Sequence, residues 1–546
     1  MTSYGWWLIV FAIIYTLGLI LIGNISRKRA NKDTGYFIGG RSFNKWIVAF
    51  CITGLFSGST FISIVELSYL SGISAIWYGV AETTQILIIA FVIIGPFREK
   101  LVVTVTGLIG DRFGRKALGI GGAITAFTFP MWSVATAIAF ASAVHVFTGF
   151  SLTMSVAFTA ILLYLYLQAG GMWSIAFTQT VNFGLFIVMF IIGITAFFIN
   201  PGIDGLASFA SSNPNMFQFD GVGIQVIVAW FGTFLVNVIL AQAAFQMALS
   251  CRTPKEGQKG LKLAVIFGLP FIVCGTLFGI SAAIVVPGQT LGLVALPQYL
   301  MEVLPAPLVG LFFLGIWACA LSWGAPCQFS GATSLGKDVG SALHPSASPK
   351  QLITYTKVSL LVLTGLMITF GMLRTEQSAW WNVLAWTMRN SATFAPVVAV
   401  LFWRLATKEA VIASMIAGFV SGTLWYQLGG WKPDEFYLNI HPVWIGMSAN
   451  IATIVLVTLV QTAGTYQVSY LFSNAKKGYY ALCVSLLITL GLSIEFQPIY
   501  NLGLLGICLF MIVIGLFIAT IIFIPDKQEK VSTNPLHSRT GTEDSM

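Results

Sequence analysis

A short stretch of hydroxyl residues and glycines lies within an apolar run near the start of this sequence. Residues 51–71 read CITGLFSGSTFISIVELSYLS and contain Thr53, Gly54, Ser57, Gly58, Ser59 and Thr60. Such residues weaken a helix inside a bilayer, and lipid offers no partner to the backbone groups that they free. An unwound segment can meet that need by coordinating an ion or a solute. The alternative is a small-residue face for close helix packing.

A second polar stretch occurs in a later apolar run. Residues 315–338 read GIWACALSWGAPCQFSGATSLGKD and contain Ser322, Gly324, Pro326, Ser330, Gly331, Thr333 and Ser334. Pro326 removes one helix hydrogen bond and frees a carbonyl group. Two interrupted polar helices in one long chain favour a path for an ion and a solute over plain packing.

Three ionisable residues lie within apolar runs, namely Glu66, Glu82 and Arg389. A charge at bilayer depth is costly and is a functional candidate by default. Glu66 shares the first polar stretch, so it is a possible proton site, a partner for Arg389, or a residue that faces a water-filled cavity. Glu82 lies nearer the end of its run beside other polar residues, and we interpret it as structural.

Three amides recur along the apolar run 222–248, namely Asn237, Gln242 and Gln246. Gln242 and Gln246 are four residues apart and would share one helix face. These side chains would either line a cavity or form hydrogen bonds between helices.

The elements that must position these residues are membrane-spanning helices. The 546 residues are only 9% charged and 57% hydrophobic, whereas soluble proteins are about 25% charged. Apolar runs near 20 residues recur along the chain, and each is long enough to cross a bilayer. The composition therefore predicts an all-α polytopic membrane protein and excludes soluble domains of any size.

About fifteen spans are predicted from the apolar runs. They are Gly5–Gly23, 46–71, 76–96, 118–147, 152–169, 173–199, 222–248, 261–285, 306–336, 351–373, 380–403, 408–427, 442–462, 479–494 and 501–524. The basic cluster at 27–32 and most other Lys and Arg fall in alternate links, which places the N-terminus outside and the C-terminus inside. Residues 526–546 are polar and are predicted to form a disordered cytoplasmic tail.

Other classes of function find little support in the sequence. The net charge of +9 reports membrane orientation rather than a nucleic-acid partner. The seven cysteines and four histidines show no metal-binding spacing, and no nucleophile or nucleotide motif occurs. We therefore expect neither an enzyme nor a bound cofactor.

Several segments together resemble the sodium:solute symporter family, whose members include proline, pantothenate and sodium–glucose carriers. They occur in the family's order over about residues 37–418. They are FIGGRSFNKW (37–46), GLIGDRFGRKA (107–117), GGMWSIAFTQTVNF (170–183), EGQKG (256–260), ALSWGAPCQFSGATSLGKDV (320–339) and SATFAPVVAVLFWRLATKEAVIASMIAG (391–418).

The resemblance implies a LeuT-like fold with two inverted five-helix repeats around a site at mid-depth. On this sequence the first repeat covers 46–200 and the second covers 201–403. Residues 1–45 would form an accessory first helix with its basic link, and 404–525 would form four further accessory helices.

The resemblance also implies a sodium site. Its ligands would be the carbonyl oxygens of Thr53, Phe56 and Cys319 and the hydroxyl of Ser322. The family has a second hydroxyl at the next position, where this chain has Trp323, and an indole offers an N–H donor but no oxygen. The family's nearby acid is also replaced, by Gln179, and its arginine after 246 by Met247. Sodium is still the expected coupling ion, because the other ligands are present. Protons on Glu66 are the alternative.

The implied activity is import of a small organic solute by cation symport with alternating access across the cytoplasmic membrane. The solute would contact Ser57, Ser59, Thr60, Asn237 and Gln242. The polar side chains that bind sugars in relatives are not matched here, so an organic anion, an amino acid or a vitamin is favoured. A transporter-fold sensor or receptor is a further alternative. We expect a monomer.

Overall fold

The structure is a computed structural model that describes residues 2–26, 33–99, 103–167, 171–375, 377–433, 435–463 and 475–524. The predicted basic cluster at 27–32 and the predicted tail 526–546 lie outside this described part. Within it the chain is helical, and β-pairing is limited to a bridge between Phe43 and Cys251. The predicted all-α architecture is confirmed.

We number the helices in chain order. They are α1 Ser3–Ser26, α2 Asp33–Ile38, α3 Lys45–Leu55, α4 Ile62–Ser71, α5 Ile76–Ile88, α6 Ile94–Glu99, α7 Val105–Phe113, α8 Arg115–Thr148, α9 Leu152–Leu167, α10 Gly171–Ile199, α11 Gly202–Ser212, α12 Ile224–Asn237, α13 Gln242–Ala248, α14 Pro254–Val285, α15 Gly292–Val303, α16 Ala306–Thr333, α17 Gly340–Leu343, α18 Pro349–Leu373, α19 Ser378–Phe402, α20 Lys408–Leu428, α21 Pro442–Gln461, α22 Ala475–Ile494, α23 Phe496–Asn501 and α24 Leu505–Phe523.

Each predicted span coincides with helix, but the number of crossings stays a prediction. In the described residues, 11 helices are long and apolar enough to cross a membrane, or up to 12 if a bent pair forms one span. One of the 11 is the continuous stretch Lys45–Glu99, which holds two predicted spans. The chain turns within it at Gly72, whose φ is 69°. The helix α9, with 16 residues, is shorter than a full span.

The first polar stretch forms a widened helix rather than an unwound one. Between α3 and α4, residues Phe56–Phe61 form a π-helical segment, and the backbone stays in the right-handed helical region at both ends. The predicted unwinding is therefore not observed. In a π-helix each backbone N–H bonds to the carbonyl five residues earlier instead of four, and such segments are frequently found at functional sites. All six residues of this π segment are buried.

Most of the second polar stretch lies on α16, and its last residues belong to a further π-helical segment, Ser334–Val339. The helix α16 packs against α1, α8, α10, α18 and the π segment Phe56–Phe61. The sequence predicted an interruption near Pro326, but α16 is continuous through this proline to Thr333. The missing N–H of Pro326 leaves the carbonyl of Ser322, four residues earlier, without its helical partner. A side chain from α10 supplies that partner, which explains how the helix continues.

A break falls within the run 222–248, which was predicted as a single span. The helices α12 and α13 are bent by 47° at residues 238–241. The four residues at the break are Val238, Ile239, Leu240 and Ala241. None of these is a glycine or a proline, the residues that usually indicate the end of a helix, so the sequence did not predict the break.

The remaining helices support this centre. The helix α19 packs against α8, α12, α20 and α21. The helix α24 packs against α21 and α22. The predicted division into two repeats and accessory helices agrees in position with these elements but stays a prediction.

Candidate functional site

The π segment and α16 meet backbone to backbone at Gly58. A Cβ atom placed on Gly58 would lie 2.1 Å from the Cβ atom of Trp323 and 2.9 Å from the carbonyl oxygen of Cys319. Real Cβ atoms do not approach so closely, so only glycine permits this contact. The two polar stretches of the sequence, 51–71 and 315–338, are therefore direct neighbours.

The residues of the predicted sodium site lie on these two neighbouring segments, and all are fully buried. Thr53 and Phe56 lie at the junction of α3 with the π segment, and Cys319 and Ser322 lie on α16. The hydroxyl Oγ1 of Thr53 has no hydrogen-bond partner. Asn182 of α10 donates through Nδ2 to the Ser322 hydroxyl at 2.5 Å.

Gln179 of α10 connects the two segments. Its Nε2 atom donates to the Ser322 carbonyl at 2.7 Å, and this is the carbonyl that Pro326 frees. A Cβ atom on Gly54 would lie 2.1 Å from the Oε1 atom of Gln179, so the amide packs directly against α3. Oε1 is buried and has no partner. The residue that replaces the family's acid thus presents a free oxygen beside the predicted ligands.

The predicted solute-binding hydroxyls have different surroundings. Ser57 donates to the Gly54 carbonyl at 2.7 Å, which is a local helix bond. Ser59 lies 3.5 Å from the hydroxyl of Tyr78 on α5. Thr60 is buried and its Oγ1 has no partner. Of the three, Thr60 has a polar atom free for another group.

The predicted amides flank the break between α12 and α13. Asn237 ends α12, and its Oδ1 accepts a hydrogen bond from Nη2 of Arg389. Gln242 begins α13 and accepts from the backbone N–H of Val105 at 3.1 Å. Its Nε2 donates to the Ser334 hydroxyl at 2.9 Å. These bonds to other helices support the bend and show that Gln242 is fully engaged.

Glu66 caps another helix. Its Oε2 accepts from the Ser378 hydroxyl at 2.5 Å and from the Ala379 N–H at 3.4 Å, at the first residues of α19. A carboxylate at a helix N-terminus satisfies free N–H groups and complements the helix dipole. The pairing of Glu66 with Arg389 that the sequence left open is not observed.

Glu82 and Arg389 instead line one cavity next to the π segment. The centre of a water-sized sphere fits within about 30 Å³ of this cavity, and the space around it that no atom fills, its open mouth included, is about 400 Å³. Its walls come from the helices α3, α5, α8, α12, α13, α16 and α19. Leu55, Glu82, Gln85, Ile86, Phe129, Trp132, Phe234, Asn237, Ala241, Ala243, Ala244, Trp323, Trp386 and Arg389 line it.

The Arg389 guanidinium is held by neutral groups. In addition to its hydrogen bond with Asn237, its Cζ atom lies 4.6 Å from the ring centroid of Trp132 and 5.8 Å from that of Phe129. No carboxylate in the described part of the chain forms an ion pair with it. Its Nε atom has no partner. The charge is therefore stabilised by ring faces and an amide but is not neutralised.

Glu82 was interpreted from sequence as structural, and its surroundings differ from that interpretation. The side chain is 4% exposed and its Oε2 has no hydrogen-bond partner. The signal in the sequence was the placement of an acid within an apolar run.

Comparisons with known proteins show the family and the fold of this chain. The model of the sodium:solute symporter family matches residues 36–418. The sodium/proline symporter of Salmonella typhimurium is 24% identical over 503 residues, which cover 87% of this chain and 97% of that protein. The sodium/pantothenate symporter of Haemophilus influenzae is 20% identical over 438 residues, which cover 77% of this chain and 90% of that protein.

A solved structure shows the fold. The substrate-bound, outward-open structure of a sodium-coupled sialic acid symporter has a TM-score of 0.67 and 18% identity, and the match covers 84% of this chain and 98% of that one. The predicted LeuT-like fold is thereby confirmed, and so is the expectation that the chain is a membrane transporter rather than an enzyme. With a family match over most of its length, this chain belongs to the sodium:solute symporter family.

Proposed function

We propose that this protein imports a small organic solute across the cytoplasmic membrane by symport with sodium. The observation that carries the proposal is the backbone contact between the π segment and α16 at Gly58. In this proposal the carbonyls of Thr53, Phe56 and Cys319 and the hydroxyl of Ser322 face the interface between these two segments. Hard cations bind oxygen ligands of this kind.

Two partnerless oxygens support sodium despite the tryptophan at the family's second hydroxyl position. Thr53 Oγ1 and Gln179 Oε1 are both buried without a hydrogen-bond partner. A buried polar atom without a partner costs about 1–3 kcal/mol. A cation at the interface would supply that partner. We propose that one of these two oxygens takes the place of the ligand that Trp323 cannot provide.

Alternating access would follow from movement of the helices that meet here. Sodium at the interface would favour one orientation of the π segment against α16, and the adjacent cavity would then accept the solute. A ligand shifts such an equilibrium only by its differential affinity for the two states. Sodium would therefore act by binding the solute-ready state more tightly. The N-terminus outside and C-terminus inside belong to this proposal.

Sodium binding can be tested on the purified protein before the solute is known. We expect thermal unfolding in NaCl to occur at a higher temperature than in KCl, since sodium at about tenfold its Kd adds about 1.4 kcal/mol. Ser322→Ala should weaken this difference. In proteoliposomes, an inward sodium gradient should accumulate a solute from a defined metabolite mixture, detected intact by mass spectrometry. Equal behaviour in both salts, with unchanged Ser322→Ala, would contradict the proposal.

Proton coupling through Glu66 is the second candidate. Its carboxylate is buried at the α4–α19 contact, where proton binding would alter the cap on α19. Uptake driven by a pH gradient in sodium-free buffer would favour it. A sensor built on this fold would instead bind a solute without accumulating it under either gradient.

A further inference from the structure

The cavity at Arg389 and Glu82 holds buried polar atoms that the protein itself leaves unmatched. On the donor side these are Nε of Arg389 and the indole N–H groups of Trp132 and Trp323. On the acceptor side it is Oε2 of Glu82. All four residues line the same space, and each side chain is at least nine-tenths buried.

Leaving these atoms unmatched is costly, so the cavity implies a ligand. Removing a partner from a buried charge destabilises a protein strongly, because an uncompensated charge in a poorly solvated site is unfavourable. Arg389 requires a negative group, and three N–H donors of the cavity suit an oxygen anion such as a carboxylate. Arginine binds carboxylates through two parallel hydrogen bonds.

Glu82 decides between the remaining kinds of solute. A dicarboxylate would match Arg389 but would bring a second negative charge into the cavity with Glu82. A simple amine would match Glu82 but would be repelled by Arg389. A neutral sugar would leave both charges uncompensated. A solute that carries one carboxylate and one positively charged nitrogen matches both groups.

We propose that the cavity binds a small zwitterion, with its carboxylate at Arg389 and its cationic nitrogen at Glu82. The aromatic walls, which include Trp386 and Phe234, would contact the apolar body of the solute. In this proposal Trp323 contacts the solute rather than the sodium ion. Its Cβ packs on Gly58, and its indole borders the cavity. This inference rests on the proposed transport function and narrows its substrate class.

Binding to the purified full chain in nanodiscs tests the proposal. The probes are the common amino acids and glycine betaine, each amino acid compared with its N-acetyl and carboxamide derivatives. We expect at least one zwitterion to bind and both of its singly modified derivatives to bind about 30-fold more weakly or worse. Tighter binding of a neutral sugar, a dicarboxylate or a simple amine would overturn the proposal.

Three variants test which residue binds each charge of the solute. Arg389→Gln should weaken zwitterion binding about 30-fold or more, and Arg389→Lys should also weaken it, because lysine lacks the planar fork. Glu82→Gln should weaken zwitterion binding but improve binding of the N-acetyl derivative relative to the parent. That reversal of preference would not arise from misfolding. Arg115→Gln and Glu495→Gln remove the same charges at exposed positions and should change nothing.

The outcomes separate this inference from the transport proposal. Sodium-driven accumulation of a solute that is not zwitterionic would refute the inference and leave symport intact. Zwitterion binding that depends on Arg389 and Glu82, without accumulation under any gradient, would refute symport and leave the inference intact. An unchanged preference in Glu82→Gln would remove this residue from the site.

Discussion

Two regions on either side of Trp323 differ in how their polar groups are satisfied. At the α16 interface, the Ser322 carbonyl and hydroxyl accept amide N–H groups from Gln179 and Asn182. In the cavity, Arg389 and Glu82 are buried, and neither forms an ion pair in the described part of the chain. The interface is built from neutral dipoles, and the cavity contains two ionisable side chains of opposite type.

The difference indicates which ligand each region suits. Neutral oxygens can surround a monovalent cation without a buried carboxylate, and such a site exchanges its ion more readily than a charged one. Separated charges suit a solute that carries both signs, because each charge gains a partner on binding. The replacement of the family's acid by Gln179 belongs to the first region, and we expect it to weaken sodium affinity rather than abolish it.

The largest effect is expected from separating the two regions at Gly58. Gly58→Ala would place its Cβ atom 2.1 Å from the Cβ atom of Trp323, and over-packing of this kind typically costs about 1–3 kcal/mol. The π segment would move away from α16, and both regions would lose their geometry. We expect transport to fall at least about tenfold, measured as initial uptake in proteoliposomes, together with the sodium effect on thermal unfolding.

A matched control exists on α10. Gly184 is also a helical glycine within a span, and a Cβ atom there would contact nothing within 4 Å. Gly184→Ala should leave uptake and sodium dependence unchanged. If both alanine variants behave alike, the contact at Gly58 does not hold the two regions together.

The same comparison shows what the sequence could reveal. Clusters such as 53–60 stand out because hydroxyls and glycines are unusual in an apolar run, so both polar stretches and the helical membrane fold could be predicted. The consequence of Pro326 could be predicted only in part. A freed carbonyl follows from proline chemistry, but the partner, Gln179, is 143 residues away in the chain.

The break between α12 and α13 could not be predicted from local rules. Its residues are Val238 to Ala241, which are ordinary helix residues. The flanking amides instead bond to other helices, as Gln242 does to Val105. The cavity was missed for a related reason, since Glu82 and Arg389 are far apart in sequence and only tertiary packing places them around one space.

An intermediate effect on the sodium dependence of uptake is expected at Gln179, and its direction depends on the charge of the replacement. Gln179→Leu removes Oε1 and the donor to the Ser322 carbonyl, so we expect the half-saturating sodium concentration to rise about tenfold, or about 1.4 kcal/mol. Gln179→Glu adds a carboxylate beside the neutral oxygens and should lower that concentration. The sodium dependence of uptake at fixed solute concentration measures both.

Gln328 on α16 provides the control for a buried amide. Its Nε2 donates to the sulfur of Met367, away from the interface. Gln328→Leu should leave the sodium dependence unchanged. A similar loss in Gln328→Leu would mean that removing any buried amide of this bundle has the same effect, and that Gln179 has no special part.

The smallest effect is expected at Glu66, which lies in neither region. Glu66→Gln keeps an oxygen that accepts from Ser378 but removes the charge at the N-terminus of α19, an interaction worth up to about 2 kcal/mol in a partly buried site. We expect a small decrease in thermal stability and no change in the sodium dependence or the pH profile of uptake. Ser378→Ala should give the same small decrease, because it removes the other half of this cap. A shifted pH profile in Glu66→Gln alone would place a coupling proton on this carboxylate, and the neutral interface at Ser322 would then no longer be the region that couples transport to an ion.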